Sequence, residues 1–359
     1  MISVVFTGLA VVLLVPIAIV FFFSPGRPKP FRDAKGKRIA GSICEKFLVK
    51  INGARQGMFL RGIDKSNPVI LFVHGGPGMP EFFLAEKCMA QLEQRFTVCY
   101  WEQRGSGLSR LSGEEYEGLT VEQMVADVIT AANYLCLRFQ QKKIYLMAHS
   151  WGTFLGIQAA ARAPELFHAY IGMAQVARQD ESERMAYRYL TEQYEARKDR
   201  AMLKKMRDYT TYRADPLLRD RAMHDLGVGT THAMKSVFTG IFLPVMFSRS
   251  YRLPEKIGVW RGKAASGGKT DLRRRMEDAD LMETVPELSL PVYFFSGAFD
   301  YTVSRELAES YFRRLIAPVK GFYLFRQSAH SPVFEEPEKA LRILLEDVLS
   351  GKNDLSDIG

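Results

Sequence analysis

The chain has 359 residues, of which 47% are hydrophobic and 12% aromatic, and its formal net charge is +9. This composition provides apolar surface for a large core and excludes a disordered, collagen-like or disulfide-stapled chain. The length allows two domains, but large α/β folds often use this much chain for one core with an insertion, so we expect one core with an inserted lid.

The N-terminal segment, residues 2–23, contains no charged residue. As a helix rising 1.5 Å per residue it would measure about 33 Å, which matches the hydrocarbon thickness of a bilayer. A cleaved signal peptide is the alternative, but it requires basic residues before the apolar run and a small-residue cleavage site after it, and the sequence has neither. We therefore expect a retained single-pass transmembrane anchor at residues 1–24.

A basic, proline-rich linker follows at residues 25–40, with six Lys or Arg residues against one Asp. Positive charge beside a membrane span usually stays in the cytoplasm. The four cysteines have neither disulfide nor zinc-ligand spacing, and we expect ordinary buried thiols. Both observations favour a cytoplasmic location for the rest of the chain, with a periplasmic or lumenal location left open.

From residue 41 onwards, short apolar runs alternate with helical stretches, which is typical of a mainly parallel sheet flanked by helices. Strands are predicted at 69–73, 97–101, 143–148, 291–296 and 321–325. A helix is predicted from Thr120 to Leu137, with Thr120 as its N-cap and Gln123 completing a capping box.

Residues 177–275 interrupt this pattern with polar, helix-prone sequence that carries a net charge of +10. No nucleic-acid motif accompanies the charge, which instead indicates a solvated helical face or one lying against anionic lipid. The sequence therefore predicts an α/β core at 41–176 and 276–359 with a helical cap inserted at 177–275.

Ser150 is the first candidate for chemistry, because it lies between a predicted strand and a small-residue helix, with Gly152 two positions later. A tight turn of this kind holds a hydroxyl above the sheet edge, beside the positive end of the helix. The usual motif also has glycine two residues before the serine, where this chain has Ala148, which is small enough to fit. The pattern favours a nucleophile.

A glycine-rich loop, His-Gly-Gly-Pro-Gly at residues 74–78, follows the predicted strand at 69–73. Such a loop lets the backbone approach a substrate carbonyl, and the amides of Gly76 and Trp151 are the candidate oxyanion donors. A plain Gly-Pro turn is the alternative interpretation.

Two later loops supply a carboxylate and a base. Asp300 follows the predicted strand 291–296, and His330 follows the strand 321–325, so the chain order is Ser, Asp, His. This is the order of the α/β-hydrolase arrangement, in which the groups lie at the carboxyl ends of strands. The sequence therefore predicts a triad of Ser150, His330 and Asp300 for acyl transfer.

These motifs resemble the α/β-hydrolase superfamily and, within it, the proline iminopeptidase group, peptidase family S33. The resemblance rests on residues 74–78, 103–109 and 150–152 and on the loops of Asp300 and His330. It implies an α/β-hydrolase fold with a helical cap. It also implies the triad and oxyanion roles given above, and removal of an N-terminal proline from peptides without metal or cofactor.

An aminopeptidase must also neutralise the α-ammonium group of its substrate, and in the resembled group cap carboxylates do so. Glu181 and Glu183 are the cap candidates here, and His74 and Gly75 are candidate substrate contacts beside the oxyanion loop. Five apolar cap residues are candidates for an acyl or prolyl pocket, although packing is the commoner role at helical spacing: Phe238, Ile241, Phe242, Leu243 and Phe247.

The substrate stays open on the sequence alone. A proline iminopeptidase-like aminopeptidase and a membrane-anchored carboxylesterase or lipase-like hydrolase of small or lipid-derived esters are both compatible with the motifs. A membrane-tethered binding protein without catalysis is a minor alternative. No metal, nucleotide or dinucleotide motif is present, so we expect no cofactor. The expected partners are a small peptide or ester substrate and the bilayer that residues 2–23 would contact.

Overall fold

The computed structural model describes residues 21–358, which form an eight-stranded sheet flanked by helices. The strands are β1 (Ile43–Ile51), β2 (Ala54–Gly62), β3 (Val69–Val73), β4 (Thr97–Glu102), β5 (Ile144–His149), β6 (Phe167–Met173), β7 (Val292–Gly297) and β8 (Lys320–Phe325). Their order across the sheet is β1-β2-β4-β3-β5-β6-β7-β8. β1 and β2 pair antiparallel with each other, β2 pairs antiparallel with β4, and all remaining neighbours are parallel. The predicted mainly parallel sheet is confirmed.

The central strands are apolar throughout because both faces of the sheet are covered. β3, β4 and β5 are buried along their whole length, as is characteristic of parallel strands lying under helices on both sides. Successive side chains alternate between the faces, so Leu71 and Phe294 belong to one core cluster while Phe72 and Phe295 belong to the other. The sheet therefore forms a rigid platform for the loops at its edge.

The helices of the described chain belong either to the core or to the cap. They are α1 (Phe82–Cys88), α2 (Val121–Phe139), α3 (Trp151–Arg162), α4 (Gln179–Ala196), α5 (Arg200–Met206), α6 (Tyr209–Ala214), α7 (Pro216–Leu226), α8 (Leu243–Phe247), α9 (Leu253–Gly268), α10 (Leu272–Asp278), α11 (Leu281–Thr284), α12 (Arg305–Arg314), α13 (Pro332–Glu335) and α14 (Pro337–Ile343). Thr120 is the N-cap of α2 and accepts a hydrogen bond from the Gln123 amide at 3.1 Å, as predicted. The Gln123 side chain donates to Asp127 at 3.2 Å instead of completing the predicted capping box.

The chain leaves the sheet at the end of β6 and returns at the start of β7, and the residues between are helical or irregular. The predicted cap range, 177–275, lies within this stretch. Helices α4 to α7 enclose a hydrophobic cluster of their own, which includes Leu190, Tyr194, Tyr212 and Met223. This helical stretch thus has its own packing, and several of its residues line one cavity together with residues that follow β3, β5 and β7.

The predicted transmembrane anchor lies mostly outside the described residues. Within residues 21–358, no helix is both long and apolar enough to cross a bilayer. All four cysteines are free. Cys99 and Cys136 are buried as expected, whereas Cys44 and Cys88 are only partly buried, so the prediction of buried thiols is correct for two of the four.

Candidate active site

Ser150 occupies a sharp turn between β5 and α3. Its backbone has φ +52° and ψ −121°, a positive-φ conformation that residues other than glycine rarely adopt. The turn is held by the Ser150 amide, which donates a hydrogen bond of 3.0 Å to the Met173 carbonyl. Gly152 is required because a methyl group there would lie 2.6 Å from the His74 carbonyl oxygen. The strained turn exposes the Ser150 hydroxyl beside the first turn of α3.

Asp300 and His330 form a buried, hydrogen-bonded pair at the ends of β7 and β8. His330 Nδ1 lies 3.1 Å and 3.0 Å from the two carboxylate oxygens of Asp300. Asp300 also accepts hydrogen bonds from the amides of Thr302 and Val303, at 2.9 Å and 3.0 Å. These bonds fix the carboxylate, which in turn fixes the ring of His330 and keeps a proton on Nδ1.

Ser150 and His330 line the same cavity, whose volume is about 260 Å³. In the described chain, no hydrogen bond joins the Ser150 hydroxyl to the His330 ring. Contacts between a nucleophile and its base are often long before substrate binds, so this separation is compatible with catalysis. The structure therefore brings the predicted nucleophile and base to one cavity, with Nε2 of His330 left for proton transfer.

The backbone around the cavity carries two amides without a partner. Within residues 21–358, neither the Gly76 nor the Trp151 N–H donates a hydrogen bond. Gly76 has φ +131°, and a methyl group on it would lie 2.8 Å from the Gly78 amide nitrogen, so the loop requires glycine there. Gly75 lies against the serine, since a methyl group on Gly75 would be 3.3 Å from the Ser150 Cβ. The predicted oxyanion donors therefore belong to the loop and turn that meet at Ser150.

Glu81 and His149 form a buried ion pair beside Ser150 that the sequence analysis did not identify. His149 Nδ1 lies 2.8 Å from Glu81 Oε1, and His149 Nε2 lies 2.8 Å from the His330 carbonyl oxygen. Since a carbonyl and an ionised carboxylate only accept hydrogen bonds, both ring nitrogens of His149 carry a proton. His149 therefore connects Glu81 to the backbone of the predicted base.

The two groups of this pair stabilise each other's charges. Burial lowers the pKa of His149, but the charge and hydrogen bond of Glu81 together with the His330 carbonyl and Asp300 outweigh burial, so the pKa is raised. Burial likewise raises the pKa of Glu81, but the charge and the hydrogen bond of His149 outweigh burial and bring it below its usual value. Glu81 lines the cavity, and its Oε2 atom is buried and has no hydrogen-bond partner among residues 21–358.

His74 lies behind the glycine-rich loop and does not line the cavity. Its Nδ1 donates to the Gly75 carbonyl at 2.7 Å, and its Nε2 accepts from the Gln103 amide at 3.1 Å. Burial lowers the pKa of His74 to about 4, so the ring is neutral at neutral pH. The structure thus gives His74 the role of holding the loops at 74–78 and 103–106 together, and its ring nitrogens are occupied by these contacts.

The two cap glutamates have different surroundings. Glu183 lines the cavity, but both of its oxygens accept 2.7 Å hydrogen bonds from Arg219, so its charge is neutralised within the protein. Burial raises the pKa of Glu183, but Arg219, Arg273 and Gln179 outweigh it and lower the pKa overall. Glu181 does not line the cavity; it lies on the cap surface and pairs with Arg178.

The remaining cavity wall is mixed in chemistry. Its apolar residues come from the loop before α1, from α1 and from the stretch between β6 and β7, and include Met79, Phe83, Leu84, Val237, Ile241, Trp260 and Met276. Of the five apolar cap residues singled out above, Ile241 lines the cavity, whereas Phe238 and Phe247 are 58% and 43% exposed. Lys263 and Arg273 contribute positive charge on the cap side. In residues 21–358, no group of three or more His, Cys, Asp or Glu side chains is arranged to hold a metal ion.

Comparisons with known proteins agree with this fold. The family model described as alpha/beta hydrolase fold matches residues 68–337. A protein of Bacillus subtilis (strain 168) named probable aminopeptidase YbaC is 30% identical over 300 residues, which cover 82% of this chain and 93% of that protein.

Two solved structures extend the comparison. A proline iminopeptidase from Mycobacterium smegmatis superposes with a TM-score of 0.64 at 16% identity, covering 85% of this chain and 98% of the other. A membrane phospholipase A described as a bacterial virulence factor superposes with a TM-score of 0.59 at 16% identity, covering 97% of this chain and 98% of the other. At these identities the two structures establish the shared fold alone.

Proposed function

The chain belongs to the α/β-hydrolase family, and from this membership we propose that it is a serine hydrolase acting by acyl transfer through Ser150, His330 and Asp300. The observation that carries the proposal is the combination of a positive-φ Ser150 turn with a His330 ring held by Asp300 on the same cavity. The strained backbone of Ser150 costs free energy, and the hydrogen bonds between His330 and Asp300 require a specific geometry. Together these features fit a nucleophile and its base.

The proposed reaction has two halves. In the first, His330 Nε2 accepts the proton of the Ser150 hydroxyl as its oxygen attacks the substrate carbonyl, and the amides of Gly76 and Trp151 stabilise the oxyanion. His330 then gives the proton to the leaving group, which departs and leaves an ester on Ser150. In the second half, His330 deprotonates a water molecule that attacks this ester, and then returns that proton to the Ser150 oxygen as the bond to the acyl group breaks and the acid product leaves. Asp300 keeps the imidazole oriented and stabilises its charged form throughout.

For the substrate we propose a peptide or amide with a free N-terminal amine, as expected of a proline iminopeptidase-like aminopeptidase. The amine nitrogen of such a substrate lies two bonds from the carbonyl carbon, within about 2.5 Å of it, so its binding carboxylate must be close to Ser150. Glu81 fits this requirement: a methyl group on Gly75 would lie 2.8 Å from Glu81 Oε1 and 3.3 Å from the Ser150 Cβ. The partnerless, buried Glu81 Oε2 supports Glu81 over Glu183, whose charge Arg219 already neutralises.

An ester hydrolase is the second candidate function. The specific observation that favours it is the apolar wall of the cavity, to which Phe83, Leu84, Ile241 and Trp260 contribute. Such a wall suits a small or lipid-derived acyl chain, and a membrane phospholipase A shares the fold. We also propose that residues 2–23 anchor the enzyme in a membrane with its catalytic domain in the cytoplasm, on the strength of their uncharged sequence and the basic linker after them.

Parallel assays of the purified chain with a prolyl arylamide and a short-chain aryl ester decide between these functions. We expect the arylamide to be turned over, and Ser150→Ala to abolish turnover of both substrates while thermal unfolding stays unchanged. Turnover of the ester alone would favour the esterase. Turnover of neither substrate by the folded wild-type chain would favour the non-catalytic binding protein.

A further inference from the structure

The cap segment at residues 237–247 contains no charged residue and is helical throughout. It begins with a π-helical turn, Phe238–Phe242, and continues directly into α8. A helix on a protein surface ordinarily places charged or polar side chains on its outer face. This stretch, which we call the lid segment, has Thr239 as its one exposed polar residue and no charge, and so differs from the charged helices elsewhere in the cap.

The inner face of the lid segment covers the catalytic cavity. Val237 and Ile241 line the cavity directly. Phe242 packs on Trp260, another cavity residue, with ring centroids 5.4 Å apart, and Val245 is fully buried. The position of the lid segment therefore determines how the cavity is closed on this side.

The exposed residues of the lid segment are Phe238, Thr239 and Phe247, and two of these three are aromatic. Phe238 is 58% exposed and Phe247 is 43% exposed, at opposite ends of the segment. Exposing large apolar side chains in a group is unfavourable in water and marks a surface that another apolar phase covers.

The first described residues of the chain extend this exposed surface. Phe21 and Phe22 are 61% and 68% exposed. Phe23 packs edge-on against Phe247 with ring centroids 5.2 Å apart. Lys256 fixes the arrangement, because its ammonium group donates hydrogen bonds to the Phe23 carbonyl at 2.8 Å and to the Met246 carbonyl at 2.5 Å. The N-terminal aromatics and the lid segment are thus parts of one surface.

We infer that the lid segment and Phe21–Phe23 together form a lipid-contact surface, which rests on a bilayer and places the roof of the catalytic cavity at the lipid interface. Residues 2–20, which precede Phe21 in the sequence, carry no charge, and an uncharged apolar stretch of about this length is typical of a membrane span. Aromatic side chains favour the membrane–water boundary.

Charge around the aromatic surface is complementary to anionic head groups. Arg249 lies over the Phe22 ring at 5.2 Å, and Arg27 donates from its amide to the Arg249 carbonyl at 3.1 Å. Both arginines therefore lie beside the aromatic surface and form a basic rim around part of it. Arg27 and Arg249 are exposed, and the side chain of Arg252 is 70% exposed. Exposed arginines beside an aromatic patch attract phosphatidylglycerol or phosphatidylserine. A bilayer is therefore the occupant that fits both the aromatic centre and the basic rim.

The surface is tested with the full chain in vesicles of phosphatidylcholine and phosphatidylglycerol. Phe238→Trp and Phe247→Trp each add one fluorophore to the outer face, and Leu137→Trp adds one at an 81% exposed position on α2 as the matched control. With brominated phosphatidylcholine in the vesicles, we expect the added emission at 238 and 247 to be quenched and that at 137 to be unaffected. Quenching at 238 and 247 no greater than at 137 would overturn the inference. A second copy of the chain covering this surface, instead of lipid, would give that result.

A second measurement links the surface to turnover. Phe238→Asp combined with Phe247→Asp is expected to lower hydrolysis of an ester embedded in the same vesicles about tenfold, because two apolar contacts with lipid are lost. Its kcat/KM on a water-soluble ester should remain unchanged. Equal loss on both substrates, or no loss on either, would contradict a role in lipid contact. The fluorescence measurement needs no catalysis, so it tests the surface independently of the proposed triad.

Discussion

Replacing Glu81 by glutamine tests whether this carboxylate binds the substrate amine. Glutamine has nearly the shape of glutamate and can keep the 2.8 Å contact with His149 Nδ1 through its oxygen when the ring is protonated, or through its amino group when the ring is neutral, while the negative charge is removed. The loop that carries His330 should therefore stay in position, since His149 Nε2 still donates to the His330 carbonyl. The change isolates the electrostatic contribution of Glu81.

The size of the effect follows from how many hydrogen bonds Glu81 has available. Oε1 is occupied by His149, and Oε2 is buried and has no partner, so a bound ammonium group gains one charge-assisted hydrogen bond. Such a bond contributes about 1.5–3 kcal/mol, which corresponds to roughly 10- to 10²-fold in kcat/KM. Glu81→Gln should lower kcat/KM by that factor for substrates with a free amine.

The assay compares two esters that differ at a single ring position. A prolyl aryl ester carries the amine, and the matching cyclopentanecarboxylate aryl ester has a methylene group in its place. We expect Glu81→Gln to reduce kcat/KM for the prolyl ester and to leave the cyclopentanecarboxylate ester within about twofold of wild type. An equal loss on both esters would mean that Glu81 acts through His149 on the base, and no loss on either would mean that it does not contact substrate; both results refute the reasoning.

Three further predictions concern the buried charges. Asp300→Asn should lower kcat about 10⁴-fold on any substrate, since an amide cannot hold the Nδ1–H tautomer of His330; a loss below tenfold in steady-state kinetics would speak against the triad. Burial raises the pKa of Glu102 from 4.5 to about 7, so its stabilising protonated form is lost as pH rises through about 7. The unfolding free energy of the wild type should therefore fall between about pH 5 and pH 8, and in Glu102→Gln this fall should be smaller by about 2 kcal/mol. Urea unfolding at both pH values measures it, and an unaltered pH dependence would contradict the prediction. Arg219→Met removes the main partner of the buried Glu183 and leaves it the partly exposed Arg273 at 3.6 Å, which should cost about 3 kcal/mol of unfolding free energy. Adding Glu183→Gln should restore most of it, and a double variant no more stable than Arg219→Met would be inconsistent with the ion pair.

The residues predicted for chemistry could be located from the sequence because each directly follows a strand. Gly76, Ser150, Asp300 and His330 come after β3, β5, β7 and β8, whose carboxyl ends lie at the same edge of a parallel sheet. Local patterns of apolar runs and glycines are therefore sufficient to bring these residues together. The fold of the core could be predicted for the same reason.

Glu81 could not be found in this way because its role depends on tertiary packing. It belongs to no motif, and its partner His149 is 68 positions away in the chain. The cap glutamates show the same limit, since only the structure reveals that Arg219 neutralises Glu183. The β1–β2 hairpin did have a local signal, the Asn52-Gly53 pair with φ values of +43° and +87°, which is the preferred sequence of a tight hairpin turn.

The proposed chemistry depends most directly on the reactivity of Ser150. Treating the intact wild-type chain with a fluorophosphonate probe and mapping the adduct by mass spectrometry should find the phosphonyl group on the Ser150 hydroxyl, with labelling lost in His330→Ala although that variant remains folded. An unlabelled Ser150 in the folded wild-type protein, or labelling that persists without the imidazole, would contradict a serine activated by His330.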